Sequence, residues 1–165
     1  MKNSIKGFLA VAVFALVSCG GKEEKKENVE MYDPEESTEV VTTTETTTSA
    51  TDMVDLDNKG IGPVKNLTLG ATVDQAMASA GEEVYKSKCL ACHKTDKKFI
   101  GPAPKGILDR RSPEWVMNMI LNPEEMVQKD PIAKALLVEY NGSPMANQGL
   151  TETEARQVLE YFRTL

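Results

Sequence analysis

The sequence predicts an all-α head of four to five short helices at residues 71–165, preceded by a disordered tether at 19–70 and an export signal at 1–18. Helix-starting signals recur after residue 70, at Ser112-Pro113, Pro131 and Thr151-x-x-Glu154. No stretch of the head alternates apolar and polar residues as a strand would. Before residue 61 the chain is rich in Glu and Thr and poor in apolar residues, apart from one run near its start.

That run is "GFLAVAVFALVS" at 7–18, which follows Lys2 and Lys6. It falls short of the roughly 20 residues a helix needs to cross a bilayer, so it reads as a signal peptide. Leu16-Val17-Ser18-Cys19 resembles a bacterial lipobox, which implies that Cys19 becomes the lipidated first residue of the mature protein. Each buried acyl CH2 adds about 0.8 kcal/mol, so more than one chain gives a stable anchor. The plainer alternative is an ordinary signal peptide with a cysteine near its end.

From 20 to 60 the segment carries a net charge of −8, while 61–165 is neutral. The acidity of the chain therefore belongs to its tether, and no nucleic-acid partner is expected. Such a segment buries too little surface to offset its ordering entropy. Its opening "GGKEEKKE" resembles the acidic, lysine-flanked signals of some outer-leaflet lipoproteins of Bacteroidetes-type bacteria; the alternative is a merely solvated run. The expected location is a bacterial membrane facing the periplasm, with the outer surface as the other option.

In the head, Val73, Ala76, Met77, Ala80, Val84 and Tyr85 recur at a helical spacing and predict a first helix. Ser112 caps a second helix with Pro113 in its first turn, and Asn122-Pro123 interrupts it. Pro131 opens a third, closed by Asn141-Gly142, and Thr151 with Glu154 forms a capping box for the last.

Of three cysteines, only Cys89 and Cys92 remain for the head, and the single histidine, His93, follows them directly. A disulfide between them would close too small a loop to constrain the unfolded chain much. Zinc needs about four ligands, so a carboxylate such as Asp96 would have to complete the set. Thiol redox chemistry favours such a pair after a strand in an α/β fold, and here it ends a helix. Covalent haem attachment uses all three residues: two thiols for the vinyl groups and His93 for the iron. One histidine excludes bis-histidine coordination within the chain, and Met is the usual sixth ligand. Among eight methionines, Met77, Met117, Met119 and Met126 sit at helical positions suited to core filling. Met145 lies instead in the loop "NGSPMANQGL", turned and stiffened by Gly142 and Pro144; a surface loop residue is its alternative reading.

On these residues the chain from about 73 onward resembles a class I, mitochondrial-type cytochrome c domain, in the form of a monohaem bacterial lipoprotein of Bacteroidetes type. The resemblance implies a small fold around one covalent haem c, with Gly81-x-x-x-Tyr85 touching Leu159 and Tyr161 of the last helix. It implies that the Pro102 carbonyl orients His93 and that Met145 is the distal ligand. The sequence departs from the family at Pro104, where Leu is frequent, and at Ala146, where Pro often follows the Met. Trp115, Arg110 and Arg111 are candidates for the haem propionates, although a lone Trp on a helix more often belongs to the core.

Such a haem makes the protein a single-electron carrier, not an enzyme, between a membrane quinol-oxidising complex and a terminal reductase or oxidase. Resemblance to small Bacteroidetes lipoprotein cytochromes makes nitrous-oxide reductase one candidate acceptor. Residues 84–111 carry a net charge of +6, so Lys86, Lys88, Lys94, Lys97, Lys98 and Lys105 could steer an acidic partner or simply form a solubilising rim. The competing functions are a five-coordinate haem sensor or weak peroxidase, and a fixed subunit of a respiratory complex.

Overall fold

The computed structural model describes residues 48–165, so the expected signal peptide, Cys19 and the expected tether up to residue 47 lie outside the described residues. Five α-helices follow in order: α1 Gln75–Lys88, α2 Pro113–Leu121, α3 Pro123–Lys129, α4 Pro131–Glu139 and α5 Glu152–Phe162. A single 3-10 turn, Ile107–Asp109, lies between α1 and α2. Among the described residues the only extended pairing is an isolated bridge from Asp55 to Arg111.

Four of the five helices, α3 being the exception, begin where a side chain takes up their free amides. Asp74 accepts from the Ala76 and Met77 amides at 3.0 Å, Ser112 from Trp115 at 3.1 Å, and Asp130 from Ala133 at 2.8 Å. Thr151 and Glu154 form the capping box that the sequence announces. Pro123 does end α2, but it also starts α3, because a proline costs nothing in a first turn whose amides are unpaired anyway. At the other end of α4, the Gly142 amide donates to Leu137 O and the Asn141 amide to Val138 O, with Asn141 at φ 57°. This left-handed stop releases the chain into the loop that carries Met145.

The terminal helices meet backbone to backbone. A Cβ on Gly81 would lie 2.0 Å from Gln157 O, so only glycine permits the approach. Beside it Tyr85 is buried against Tyr161 and Phe162, with ring centroids at 5.4 and 5.7 Å. The buried stripe of α1 is Ala78, Gly81 and Tyr85, whereas Ala76, expected to face inward, is exposed. Small residues had outlined two faces; the close approach at Gly81 selects one. The core gathers Trp115, Val116, Met117, Ile120 and Met126 with Ile132, Val158 and Leu159. Met117 and Met126 fill the core as their helical positions suggested.

The main departure from expectation is that the polar tether does not extend to residue 70. Residues 48–70 form a strap bound along the helices, and the reason is a set of buried polar side chains that satisfy its backbone. Asn118 on α2 accepts from the Val64 amide at 2.9 Å and donates to Val64 O and Lys59 O at 2.8 Å. Glu114 accepts from Lys59 Nζ at 2.9 Å and from the Leu67 amide at 3.0 Å. Asn58 donates to Asp130 at 2.7 Å, and a Cβ on Gly60 would reach the Met126 sulfur at 2.8 Å. Val64 completes the contact by entering the core.

Glu160, fully buried on α5, ties the start of α1 to the end of the chain: it accepts from the Asp74 amide at 2.8 Å and pairs with Arg156 and Arg163. Burial opposes its charge, but these partners outweigh it and hold the carboxyl below the usual carboxylate range. Its contribution to stability is therefore complete above the ordinary glutamate value of about 4.3 and is lost as pH falls through the lower folded value. Glu160→Gln is expected to cost about 2–3 kcal/mol in urea unfolding at pH 7, with the gap to wild type closing below about pH 4. A gap unchanged down to pH 3 would refute this assignment.

Candidate functional site

The turn after α1 brings the three motif residues together. The Cys92 and His93 amides both donate to Cys89 O, at 3.0 and 2.9 Å, which winds the chain so that both sulfurs and the imidazole line one cleft. Tyr85 donates its hydroxyl to His93 O at 2.9 Å, fixing the turn to the α1/α5 contact. Burial, with Cys89 and Tyr161 nearby, pushes the phenol up to about 12, so it remains a donor throughout the physiological range.

The His93 ring is set by its other neighbour. His93 Nδ1 lies 2.8 Å from Pro102 O, and a carbonyl can only accept, so Nδ1 carries the proton and Nε2 keeps its lone pair. Gly101 supplies the space: a Cβ there would come within 2.4 Å of His93 Cε1. Its amide is also bound, donating to Cys92 O at 2.9 Å.

The cleft runs from the motif turn across to α3 and α4 and is open to solvent at its mouth. Its wall is largely apolar, from Ile107, Met119, Val127, Ala133, Leu136 and Leu137. Met145 lines it as well, with Pro144 and Ala146, and is packed on the core. A second apolar space, toward Val116, Val158 and Phe162, is again bordered by Cys89, His93 and Met145. Cys89 and Cys92 are both free. Burial, then the neighbouring Cys92, pushes the Cys89 thiol up to about 11, the reverse of the lowered value that a redox-active thiolate requires. Among the described residues no three His, Cys, Asp or Glu side chains cluster as a metal site would need, which removes the zinc alternative there.

The propionate candidates divide. Trp115 is buried and its indole N–H donates to Asp130 at 3.1 Å, so it meets the cleft with its ring alone and has no donor left for a carboxylate. Arg111 is also buried: Nη2 donates to Ala50 O at 2.6 Å and Nη1 to Met53 O, while Nε has no partner. Arg110 likewise has a buried, unpartnered Nε, and its Nη2 donates to Lys105 O at 3.3 Å. Two orphaned guanidinium donors on the wall of an apolar cleft fit a flat apolar group with acidic edges, and the thiols, imidazole and glycine-walled space fit a covalently bound haem.

Thr51, which fell in the expected tether, and Tyr140, at the end of α4, are among the cleft residues that the sequence does not single out. The return of apolar residues at Met53, Val54, Leu56, Ile61, Val64, Leu67 and Leu69 was the available sign that the tether had ended.

A model of the cytochrome c family matches residues 78–165. Cytochrome c-551 of Ectopseudomonas mendocina is 31% identical over 88 residues, which cover 53% of this chain and 99% of that protein. Cytochrome c2 of Rhodopseudomonas palustris is 40% identical over 47 residues, 28% of this chain and 32% of the relative. Among solved structures, cytochrome c from Rhodothermus marinus superposes with a TM-score of 0.60 at 45% identity, covering 62% of this chain and 88% of that one. An engineered form of that protein, bound to a carbene intermediate, gives a TM-score of 0.58 at 44% identity.

Fold and cleft thus define an all-helical protein that holds its cofactor covalently. The chain belongs to the cytochrome c family. It carries covalently bound haem c at the Cys89-x-x-Cys92-His93 motif and serves haem-based electron transfer with redox partners.

Gly101→Ala is expected to displace the imidazole, because a methyl 2.4 Å from Cε1 cannot be absorbed by the ring while its Pro102 bond is kept. The haem-loaded variant should show a changed axial-ligand spectrum with both thioether links intact. An unchanged spectrum would show that the backbone yields instead.

Proposed function

We propose that the protein is a single-electron carrier whose haem iron is ligated by His93 and Met145. The observation that carries this reading is that the chain's one histidine and its one loop methionine in the head border the same two apolar spaces. When bound, the haem supplies a reversible one-electron couple. Pro102 holds the imidazole in the tautomer that presents Nε2, and the apolar wall excludes water, favouring a thioether over a polar sixth ligand. His93 and Met145 would together hold the iron and leave no place there for substrate, so bond-making chemistry is not expected.

Met145→Ala is expected to abolish the weak far-red thioether-to-iron band of the ferric protein and to open the reduced protein to carbon monoxide. A wild-type spectrum that is already five-coordinate and indifferent to the substitution would overturn the carrier in favour of a sensor or weak peroxidase.

The partner-facing surface is assigned to the run from Lys88 to Lys105. Leu90, Phe99 and Ile100 are exposed there, and Lys94 Nζ lies 4.9 Å from the centre of the Phe99 ring. Lys97, Lys98 and Lys105 line an adjoining polar groove, whereas Lys86 spends its charge on Glu82 and Glu83 at 3.2 and 3.1 Å. An apolar centre with a cationic surround suits an acidic partner, and the proposed ones are a quinol-oxidising complex as donor and a terminal reductase or oxidase as acceptor. Nitrous-oxide reductase is the candidate acceptor drawn from the sequence resemblance. Lipidation of Cys19, with residues 20–47 as the remaining tether, would keep the carrier at the membrane. The second-order rate of electron transfer to such a partner should fall several-fold between about 20 and 200 mM salt, as the screening length drops below about 10 Å. A rate independent of salt would remove the steering role.

A further inference from the structure

Ser49, Ala50 and Thr51 bridge two walls of the cleft. On one side Arg111 donates to Ala50 O and Met53 O. On the other, Glu139 Oε1 accepts from Ser49 Oγ at 2.9 Å and from Thr51 Oγ1 at 2.5 Å, while its Oε2 accepts from the Thr51 amide at 3.0 Å. The Thr51 hydroxyl also lies 3.1 Å from Tyr140 Oη. Burial opposes the charge of Glu139, but the Thr51 and Ser49 donors, with Lys98 nearby, hold its carboxyl below the usual range, so it is an acceptor at neutral pH.

Glu139 and Tyr140 are the root of the Met145 loop, which begins at the next residue. Among the described residues, the loop from 144 to 150 makes no backbone hydrogen bond to the rest of the domain; its two bonds, from Gln148 to Ala146 O and from the Gly149 amide to Asn147, are internal. Its place is therefore set by its two ends and by the packing of Met145 and Leu150 on the core. The far end is the Thr151 cap of α5, and the near end is the turn at Tyr140. Lys98 adds to that turn, donating to Glu139 O at 3.3 Å and lying 4.4 Å from the Tyr140 ring centre.

We infer that Thr51 and Glu139 are positioning residues that clamp the root of the Met145 loop, so that the N-terminal strap sets how firmly the Met145 thioether stays at the iron. The inference rests on the His93/Met145 reading. Loss of the Thr51 hydroxyl takes one partner from Glu139 and one from Tyr140 at once, and the carboxylate, left with Ser49 Oγ and the Thr51 amide, draws water into the turn in its place. The loop root then samples displaced positions, and a competing ligand meets less resistance.

The test is imidazole binding to the ferric, haem-loaded full chain, followed through the shift of the Soret band, for wild type, Thr51→Val, Thr51→Ser, Glu139→Gln and Met145→Ala. Thr51→Val and Glu139→Gln are expected to bind imidazole about tenfold more tightly than wild type, the effect of losing one or two hydrogen bonds that hold the competing thioether. Thr51→Ser, which keeps the hydroxyl, should match wild type, and Met145→Ala should bind most tightly of all. If Thr51→Val and Glu139→Gln bind as wild type does while Met145→Ala binds tightly, the clamp is overturned and the ligation stands. If Met145→Ala itself binds as wild type does, the ligation reading falls and takes the clamp with it. If Thr51→Val is too unstable to isolate, Glu139→Gln, which keeps the carboxylate's shape, decides alone.

Discussion

The close crossing of the first and last helices at Gly81 is the constraint from which the site takes its position. A glycine against the Gln157 carbonyl lets two backbones touch, and the aromatic cluster of Tyr85, Tyr161 and Phe162 closes over the contact. Tyr85 then reaches from that cluster to the carbonyl of His93. The haem-binding turn is thereby attached to the most tightly determined contact of the fold, and the imidazole inherits its direction from it. Pro102 and Gly101 refine that direction, one through a hydrogen bond and the other through the absence of a side chain.

A different physics holds the strap. It has neither helix nor sheet to satisfy its backbone, and its amides and carbonyls are met by side chains of the helices it crosses. Asn118 acts as a partner strand reduced to one residue, donating twice and accepting once. Glu114 and Arg111 do the same at other points, while Asp130 takes the side-chain amide of Asn58, and each is buried. Polar groups buried in this way would be costly if left alone, so helices and strap stabilise one another. The cost falls on whichever part is missing.

Helix starts were legible because their signals are local. Ser112, Thr151 and the prolines at 113 and 131 act within one turn, and the sequence places them directly. The haem motif was legible for the same reason: three residues in five, with the only histidine among them. Pro123 misled because a proline can stop one helix and start the next, and neighbours in sequence do not distinguish the two. The strap misled more deeply. Its composition is polar and its apolar residues follow neither helical nor strand period, so their return after residue 52 is the one local mark of order and says nothing of what the segment packs against. What orders it is the partners supplied by Asn118 and Glu114, some fifty residues away in sequence. The bond between Thr51 and Glu139 is invisible for that reason, and so is the difference between Trp115 as a propionate donor and Trp115 bound to Asp130.

The part of the chain that matches the family, from residue 78 onward, is smaller than the part that folds together. A chain trimmed to the matched region would keep every residue of the haem motif and every core helix except the first residues of α1. It would also leave Asn118 and Glu114 on a bared helix face without the backbone groups they pair with, and Met126 and Trp115 without the glycine turn that covers them. The recognisable domain and the folding unit thus have different boundaries, separated by about thirty residues that the family model does not span.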